Sequence, residues 1–311
     1  MLVNKRESNK LYELIFFVTA KCNSNCRHCF NRDNLNNQAE NLPLKKIAEL
    51  AKNLPAIENL LLSGGEPFLR DDLPGLINIF KVNNHIKTVS IPTNGLLTEK
   101  IIETCRKILT IAGLTSLNIN LSLDGLAERH DKIRGVAGNF DKTIITLKKL
   151  SELSKTDSRL NILINSVVNK DNYGELFPLH DYLVKESAAF NHFFEIIRPV
   201  LGQAEVEGQK NFSPGKSFYR KILSLQYSKF KADLKDKNPI KIFLRRLLFL
   251  GKFSLIYGIQ NSNFKNHRAW PITCRAGRNI LVINSDGRVR PCELRSKIFS
   301  LEENFQDKKI I

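Results

Sequence analysis

Residues 13–30 read ELIFFVTAKCNSNCRHCF. The apolar, aromatic run from Glu13 to Thr19 predicts a strand. A loop carrying Cys22, Cys26 and Cys29 follows at once, placing three of the six cysteines within eight residues. Thiolates suit zinc or iron–sulfur centres. A structural zinc site is closed by four protein ligands, usually two separated pairs. Three clustered thiols instead match three irons of a [4Fe–4S] cube and leave the fourth open to a non-protein ligand. The competing readings are a chance cluster and a zinc site completed by Cys274 or Cys292. Cys105 falls in a predicted helix and reads as a buried structural residue.

Working outward, short β-rich runs alternate with segments of helical period. Strands are predicted over Glu13–Thr19, Asn59–Ser63, Lys87–Pro92, Leu117–Leu123, Leu160–Val168 and Phe193–Ile197. Helices are predicted over Leu44–Asn53, Leu73–Val82, Thr98–Thr110, Asn139–Leu153 and Tyr173–Lys185. Such a β-then-α rhythm implies an α/β fold with a parallel sheet, here a partial (β/α)6 barrel of TIM-like type. In barrels the chemistry sits on loops at the carboxyl ends of strands. The unusual residues cluster there: the cysteines after the first strand, Gly64-Gly65-Glu66-Pro67 after the second, Thr93-Asn94-Gly95 after the third and Asp124-Gly125 after the fourth. Turn formation is the competing reading of each glycine-bearing motif.

The rhythm changes after Pro199. Helices are predicted over Ser213–Phe230 and Ile240–Tyr257, and a hairpin over Val282–Pro291 turning at Asp286-Gly287. This divides the chain into a barrel, residues 1–205, and a small α+β extension, residues 206–311. The stretch Lys241–Tyr257 mixes Arg245, Arg246 and Lys252 with Phe and Leu. It fits a membrane or lipid-like contact, but a helix with its apolar side facing the core is the stronger expectation.

The chain of 311 residues carries 48 Lys plus Arg against 31 Asp plus Glu, a net charge of +17. That balance invites an anionic partner, yet the basic residues are scattered rather than gathered in one tract, and a nucleic-acid partner is not expected. Residues Met1–Leu11 are polar, and Leu14–Val18 is too short for a signal-peptide core. No run approaches the ~18 consecutive apolar residues of a membrane span. With clustered thiols and no secretory signal, the expected home is the reducing cytoplasm.

Taken together, the Cys22-x3-Cys26-x2-Cys29 loop, Gly64-Gly65-Glu66-Pro67, Thr93-Asn94-Gly95 and Ser122-Leu123-Asp124-Gly125 resemble the radical S-adenosylmethionine superfamily. The resemblance implies a [4Fe–4S] cluster on Cys22, Cys26 and Cys29, with S-adenosylmethionine on the open iron. It implies that Gly64, Gly65 and Glu66 hold the methionine amino group. Thr93 and Asn94 are to lie beside the cofactor, and Ser122 is to bind the methionine carboxylate. Asp124 is a candidate for ribose or substrate, or for turn capping. Arg134, in His130-Asp131-x2-Arg134-Gly135, is a candidate carboxylate partner, and Asn165 a candidate cofactor contact. Asp124 and Glu195 are the candidates for any acid–base role.

Cys274-x2-Gly277 and Cys292, flanking the Asp286-Gly287 turn, resemble the start of the auxiliary-cluster extension called SPASM or twitch. A complete auxiliary iron–sulfur site needs a further ligand. The resemblance implies reductive cleavage of the cofactor to a 5′-deoxyadenosyl radical, hydrogen abstraction from a peptide or small-molecule substrate, and a flavodoxin- or ferredoxin-type electron donor. An RNA-modifying enzyme of the same superfamily is the alternative. A non-catalytic iron–sulfur electron carrier is the reading from another class, and it has no use for the glycine-rich methionine site.

Overall fold

The computed structural model describes residues 10–37, 40–187, 190–196, 212, 215–233, 238–239, 241–248, 250–251, 255 and 277–292. Eight strands form one sheet: β1 (Lys10–Thr19), β2 (Ala56–Gly64), β3 (Thr88–Thr93), β4 (Ser116–Ser122), β5 (Leu160–Val168), β6 (Asn191–Ile196), β7 (Ile280–Ile283) and β8 (Val289–Arg290). Their spatial order is β6-β5-β4-β3-β2-β1-β7-β8. Neighbours from β1 to β5 pair in parallel, and β7 adds in parallel to the outer edge of β1. The connecting helices are α1 (Leu44–Lys52), α2 (Leu73–Asn84), α3 (Thr98–Leu109), α4 (Ala127–Arg134), α5 (Asn139–Thr156) and α6 (Leu176–Glu186). This is the expected α/β architecture of a partial TIM-like barrel.

Each strand separates two environments, because side chains alternate across it. Along β4, Leu117, Ile119 and Leu121 are fully buried. Ser116, Asn118, Asn120 and Ser122 occupy the opposite, half-buried face. Register puts Ser90 beside Asn118 and Asn118 beside Asn161, so this face is polar across three strands. Its lower part satisfies itself: Asn118 Nδ2 donates to Ser90 Oγ at 3.1 Å and Asn161 Nδ2 to Ser116 Oγ at 3.0 Å. Towards β1 the face turns apolar, with Ile15, Phe17 and Val282 packed against Phe30, Leu61 and Ile280.

The chain divides into two compact units, residues 1–167 with 174–195 and 275–311, and residues 168–173 with 196–274. The first contains nearly all of the sheet. Its C-terminal hairpin turns where expected, with Gly287 at φ +87° and Asn284 N–H donating to Arg288 O at 2.8 Å. The second contains helix α7 (Gly215–Asp233), whose Phe218, Tyr219 and Ile222 are buried.

Two features depart from the sequence reading. Helix α4 was not anticipated, because Ile133 and Ala127 are its only apolar residues. It is anchored by polar side chains instead, His130 and Arg134, both buried. The second departure lies in residues 241–248, which are helical as expected. Four of their five apolar side chains do not face a core: Phe243, Leu244, Leu247 and Leu248 are exposed, and Ile242 alone is half-buried.

Candidate active site

The cysteine loop leaves the end of β1 and is gripped from two sides. On one side, Gly65 N–H donates to Thr19 O at 2.7 Å and Glu66 N–H to Lys21 O at 2.9 Å. On the other, Asn25 N–H and Arg27 N–H donate to Arg134 O and Ile133 O, both at 3.0 Å. Those are carbonyls of the last turn of α4, which lack intrahelical partners. Asn36 brackets the first cysteine: its Oδ1 accepts from Cys22 N–H at 2.9 Å and its Nδ2 donates to Cys22 O at 3.2 Å. Burial pushes the Cys22 thiol up to about 11 and also raises that of Cys29. Loading a metal therefore has to remove protons from both.

Arg134 reaches the loop with its side chain as well. Its Nη1 donates to Cys26 Sγ at 3.6 Å and its Nη2 pairs with Asp124 Oδ2 at 2.6 Å. Asp124 is completely buried, and its Oδ1 accepts from Val167 N–H at 2.7 Å. Burial opposes its ionisation most, but Arg134, His28, His130 and the Val167 N–H together outweigh it and hold the carboxyl below its usual range. His28 Nε2 stands 3.5 Å from the same carboxylate. Burial pushes His28 and His130 both down to about 4, so neither imidazole is charged near neutral pH.

A chain of hydrogen bonds carries this arrangement across the strand ends. Asp124 N–H donates to His130 Nδ1 at 3.1 Å. That fixes the tautomer with Nε2 protonated, and Nε2 meets Asn139 Oδ1 at 3.0 Å. Asn139 Nδ2 in turn donates to Asn94 O at 3.0 Å, which also accepts from Thr143 Oγ1 at 2.8 Å. Thr146 Oγ1 donates to Gly95 O at 2.7 Å. Asn94 closes the circuit, its Nδ2 donating to Asn23 Oδ1 at 2.7 Å and Ser24 Oγ at 3.0 Å in the cysteine loop.

Glu66 braces the centre. Its carboxylate accepts from Asn94 N–H at 2.8 Å and Phe68 N–H at 3.3 Å, with the Thr93 side chain as a further partner. Burial nevertheless pushes the carboxyl up to about 7. Ser122 and Asn165 are register partners at the ends of β4 and β5, both half-buried.

The structure thus gathers Cys22, Cys26, Cys29, Gly64, Gly65, Glu66, Thr93, Asn94, Asp124 and Arg134 around one loop, with Ser122 and Asn165 on the adjoining strand ends. Glu195 lies exposed on β6. Cys292 is half-buried just beyond β8, and Cys274 lies outside the described residues. Sequence reasoning missed Asn23, Ser24, Asn36, Asn139, Thr143 and Thr146. The last three sit at i, i+4 and i+7 where a core-facing helix ordinarily carries apolar residues, a legible signal. Asn36 has no such signal: it acts from a left-handed position, φ 53°, fourteen residues from its partner.

Residues 16–177 match the family model of the Radical SAM superfamily, and the chain belongs to that superfamily. Its relatives include proteins named probable GTP 3′,8-cyclase. That of Archaeoglobus fulgidus is 26% identical over 292 residues, covering 92% of this chain and 86% of the relative. That of Methanococcus aeolicus is 35% identical over 184 residues, or 57% of each. Among solved structures, Streptococcus suis SuiB bound to its precursor peptide SuiA gives a TM-score of 0.63 at 19% identity, covering 97% of this chain and 66% of that one. The structure of anSMEcpe with bound AdoMet gives 0.58 at 18% identity, covering 96% and 78%. At these identities the solved structures share the fold.

Membership implies a [4Fe–4S] cluster and S-adenosylmethionine, and the donor set fits. Three thiols project from one loop, as three irons of a cube require. A buried guanidinium already donates to one sulfur, the kind of outer contact that suits a thiolate ligand. Among the described residues, no three His, Cys, Asp or Glu side chains close around a single metal ion.

Proposed function

We propose that the chain cleaves S-adenosylmethionine reductively at a [4Fe–4S] cluster, giving methionine and a 5′-deoxyadenosyl radical that takes a hydrogen atom from a peptide substrate. The observation that carries this reading is the cysteine loop itself. It is clamped between the glycine-rich end of β2 and the end of α4, with Arg134 on Cys26.

Cys22, Cys26 and Cys29 hold the cluster. The carbonyls of Gly64 and Gly65 accept from the methionine ammonium group, and Ser122, beside Asn165, meets its carboxylate. Glu66, Thr93 and Asn94 lock the neighbouring loops around that position. Arg134 steadies the Cys26 thiolate, and Asp124 steadies Arg134. With Asp124 so committed, any proton transfer falls to Glu195. Cys274 and Cys292 contribute to a twitch-like auxiliary iron–sulfur site that needs another ligand. The enzyme works in the cytoplasm with a flavodoxin- or ferredoxin-type donor. The peptide assignment draws on the fold shared with SuiB, whose structure holds a precursor peptide. A nucleotide substrate is the second reading, favoured by relatives named GTP 3′,8-cyclase that align over 92% of the chain.

The test is anaerobic reconstitution, dithionite reduction, addition of S-adenosylmethionine and quantification of 5′-deoxyadenosine, alone, with GTP and with peptide pools. Wild type is expected to form product and Cys26→Ala none. A fully loaded protein that neither binds nor cleaves the cofactor sinks the proposal. Stimulation by GTP and not by peptides moves the assignment to a nucleotide.

The Arg134–Asp124 pair makes a second, signed prediction. Arg134→Met removes a cation beside Cys26 and exposes it to the Asp124 charge, so the cluster's midpoint potential falls. Asp124→Asn leaves the cation uncompensated, so it rises. Each shift is expected on the order of tens of millivolts, read by redox titration. Equal potentials in both variants and wild type rule out the electrostatic role.

A further inference from the structure

Half of the large apolar side chains that stand exposed lie in one short stretch. Of twelve among the described residues, six fall between 243 and 255: Phe243, Leu244, Leu247, Leu248, Leu250 and Leu255. Leu248 is 72% exposed and Phe243 64%. Residues 241–248 are helical, and Asn238 caps the helix start, its Oδ1 accepting from Lys241 N–H at 3.2 Å. Phe243 and Leu247 are one i,i+4 pair, Leu244 and Leu248 another. The two pairs sit side by side, so the four residues form one continuous apolar face. Lys241 and Arg245 form a basic i,i+4 row alongside it. Single exposed leucines are ordinary; a contiguous face of them marks an interaction surface.

The charge pattern selects the partner. From Lys237 to Ser285 the sequence contains no Asp or Glu, while Lys237, Lys241, Arg245, Arg246, Lys252, Lys265, Arg268, Arg275 and Arg278 are all basic. A second copy of this chain would bring two basic helices together with no carboxylate in either segment to pair them. An RNA would use the basic row but leave three leucines in water, since base stacking needs aromatic faces and of the four side chains only Phe243 offers one. An anionic lipid bilayer accepts both: acyl chains take Phe243, Leu244, Leu247 and Leu248, and headgroup phosphates take Lys241 and Arg245. No helix among the described residues is long and apolar enough to cross a membrane, so this helix would lie in the interface.

We infer that the helix at residues 241–248 docks the protein on anionic lipid surfaces. The purified full chain is mixed with vesicles of phosphatidylcholine, or of phosphatidylcholine with about one-third phosphatidylglycerol, and bound protein is read by flotation. Wild type is expected to float with the anionic vesicles roughly tenfold more strongly than with the neutral ones, and to be released between about 0.1 M and about 0.5 M KCl. The double variant Leu247→Ser/Leu248→Ser loses binding to both vesicle types. Arg245→Gln/Arg246→Gln loses the preference for anionic lipid and its salt dependence. All these side chains are exposed, so each variant retains wild-type circular dichroism and iron loading. Failure of wild type to float overturns the inference. So does floating that both variants leave unchanged, or a salt-stable dimer that Leu247→Ser/Leu248→Ser dissociates.

Discussion

Gly65→Ala is expected to abolish cluster loading and to destabilise the protein by about 3 kcal/mol or more. A Cβ on Gly65 would stand 2.1 Å from Lys21 O and 2.6 Å from Lys21 C, both backbone atoms. No rotamer relieves such a contact; the chain itself has to move. The segment that moves is the start of the cysteine loop, held there by Gly65 N–H on Thr19 O and Glu66 N–H on Lys21 O. Losing both bonds strands buried polar groups and displaces Cys22 from Cys26 and Cys29. Its neighbour Gly64, at φ +115°, is constrained in a second way, by a backbone conformation that other residues rarely adopt. Gly174→Ala is the control, because a Cβ there meets nothing within 4 Å. Iron and sulfide content after anaerobic reconstitution, with urea unfolding, decide the matter. Normal loading in Gly65→Ala would show that the loop is not positioned by this contact.

Glu66 is expected to make stability fall as pH rises. Its ordinary value of 4.5 is raised to about 7 in the fold, by burial. The folded state therefore holds a proton between those values that the unfolded chain has released. The stabilisation is fully present below pH 4.5 and is lost as pH rises through about 7, a span worth roughly 3 kcal/mol. Buried His28 and His130 act in the opposite sense: lowered to about 4, they add stability as pH rises towards 6.5. A comparison of wild type with Glu66→Gln cancels the histidine contributions. At pH 5 the variant is expected to be the less stable, because an amide N–H2 replaces one acceptor oxygen facing Asn94 N–H or Phe68 N–H. By pH 8 the gap closes or reverses by roughly 3 kcal/mol. Parallel stability curves for the two proteins across this range exclude a raised Glu66.

The barrel was legible because its strands are short β-rich runs that alternate with segments of helical period, and because glycine-bearing motifs close β2, β3 and β4. Leu160–Val168 was bounded correctly as a strand, and Leu44, Leu73 and Thr98 as helix starts. Helix α4 was not legible, since its stability comes from His130, Arg134 and the loop N–H groups it receives rather than from an apolar stripe. The same holds for the site. Thiols and glycines announce themselves by type and spacing, and Asn139, Thr143 and Thr146 by their place on a core-facing helix, whereas Asn23, Ser24 and Asn36 act through contacts that only the folded loop creates. The exposed face at 243–248 was misjudged because a periodic apolar stripe says that a helix is amphipathic, and not what covers it.

The pairing of β7 with β1 has a consequence for biosynthesis. Glu13 lies beside Ile280 in the register, so the strand that feeds the cysteine loop is synthesised long before the strand that flanks it. Cys22, Cys26 and Cys29 leave the ribosome, and their grip from β2 and α4 is complete, while the outer edge of β1 still waits for its partner. Partners this distant in sequence also pair slowly. The nascent protein therefore passes through a stage in which the loop is shaped but its supporting strand has an open edge.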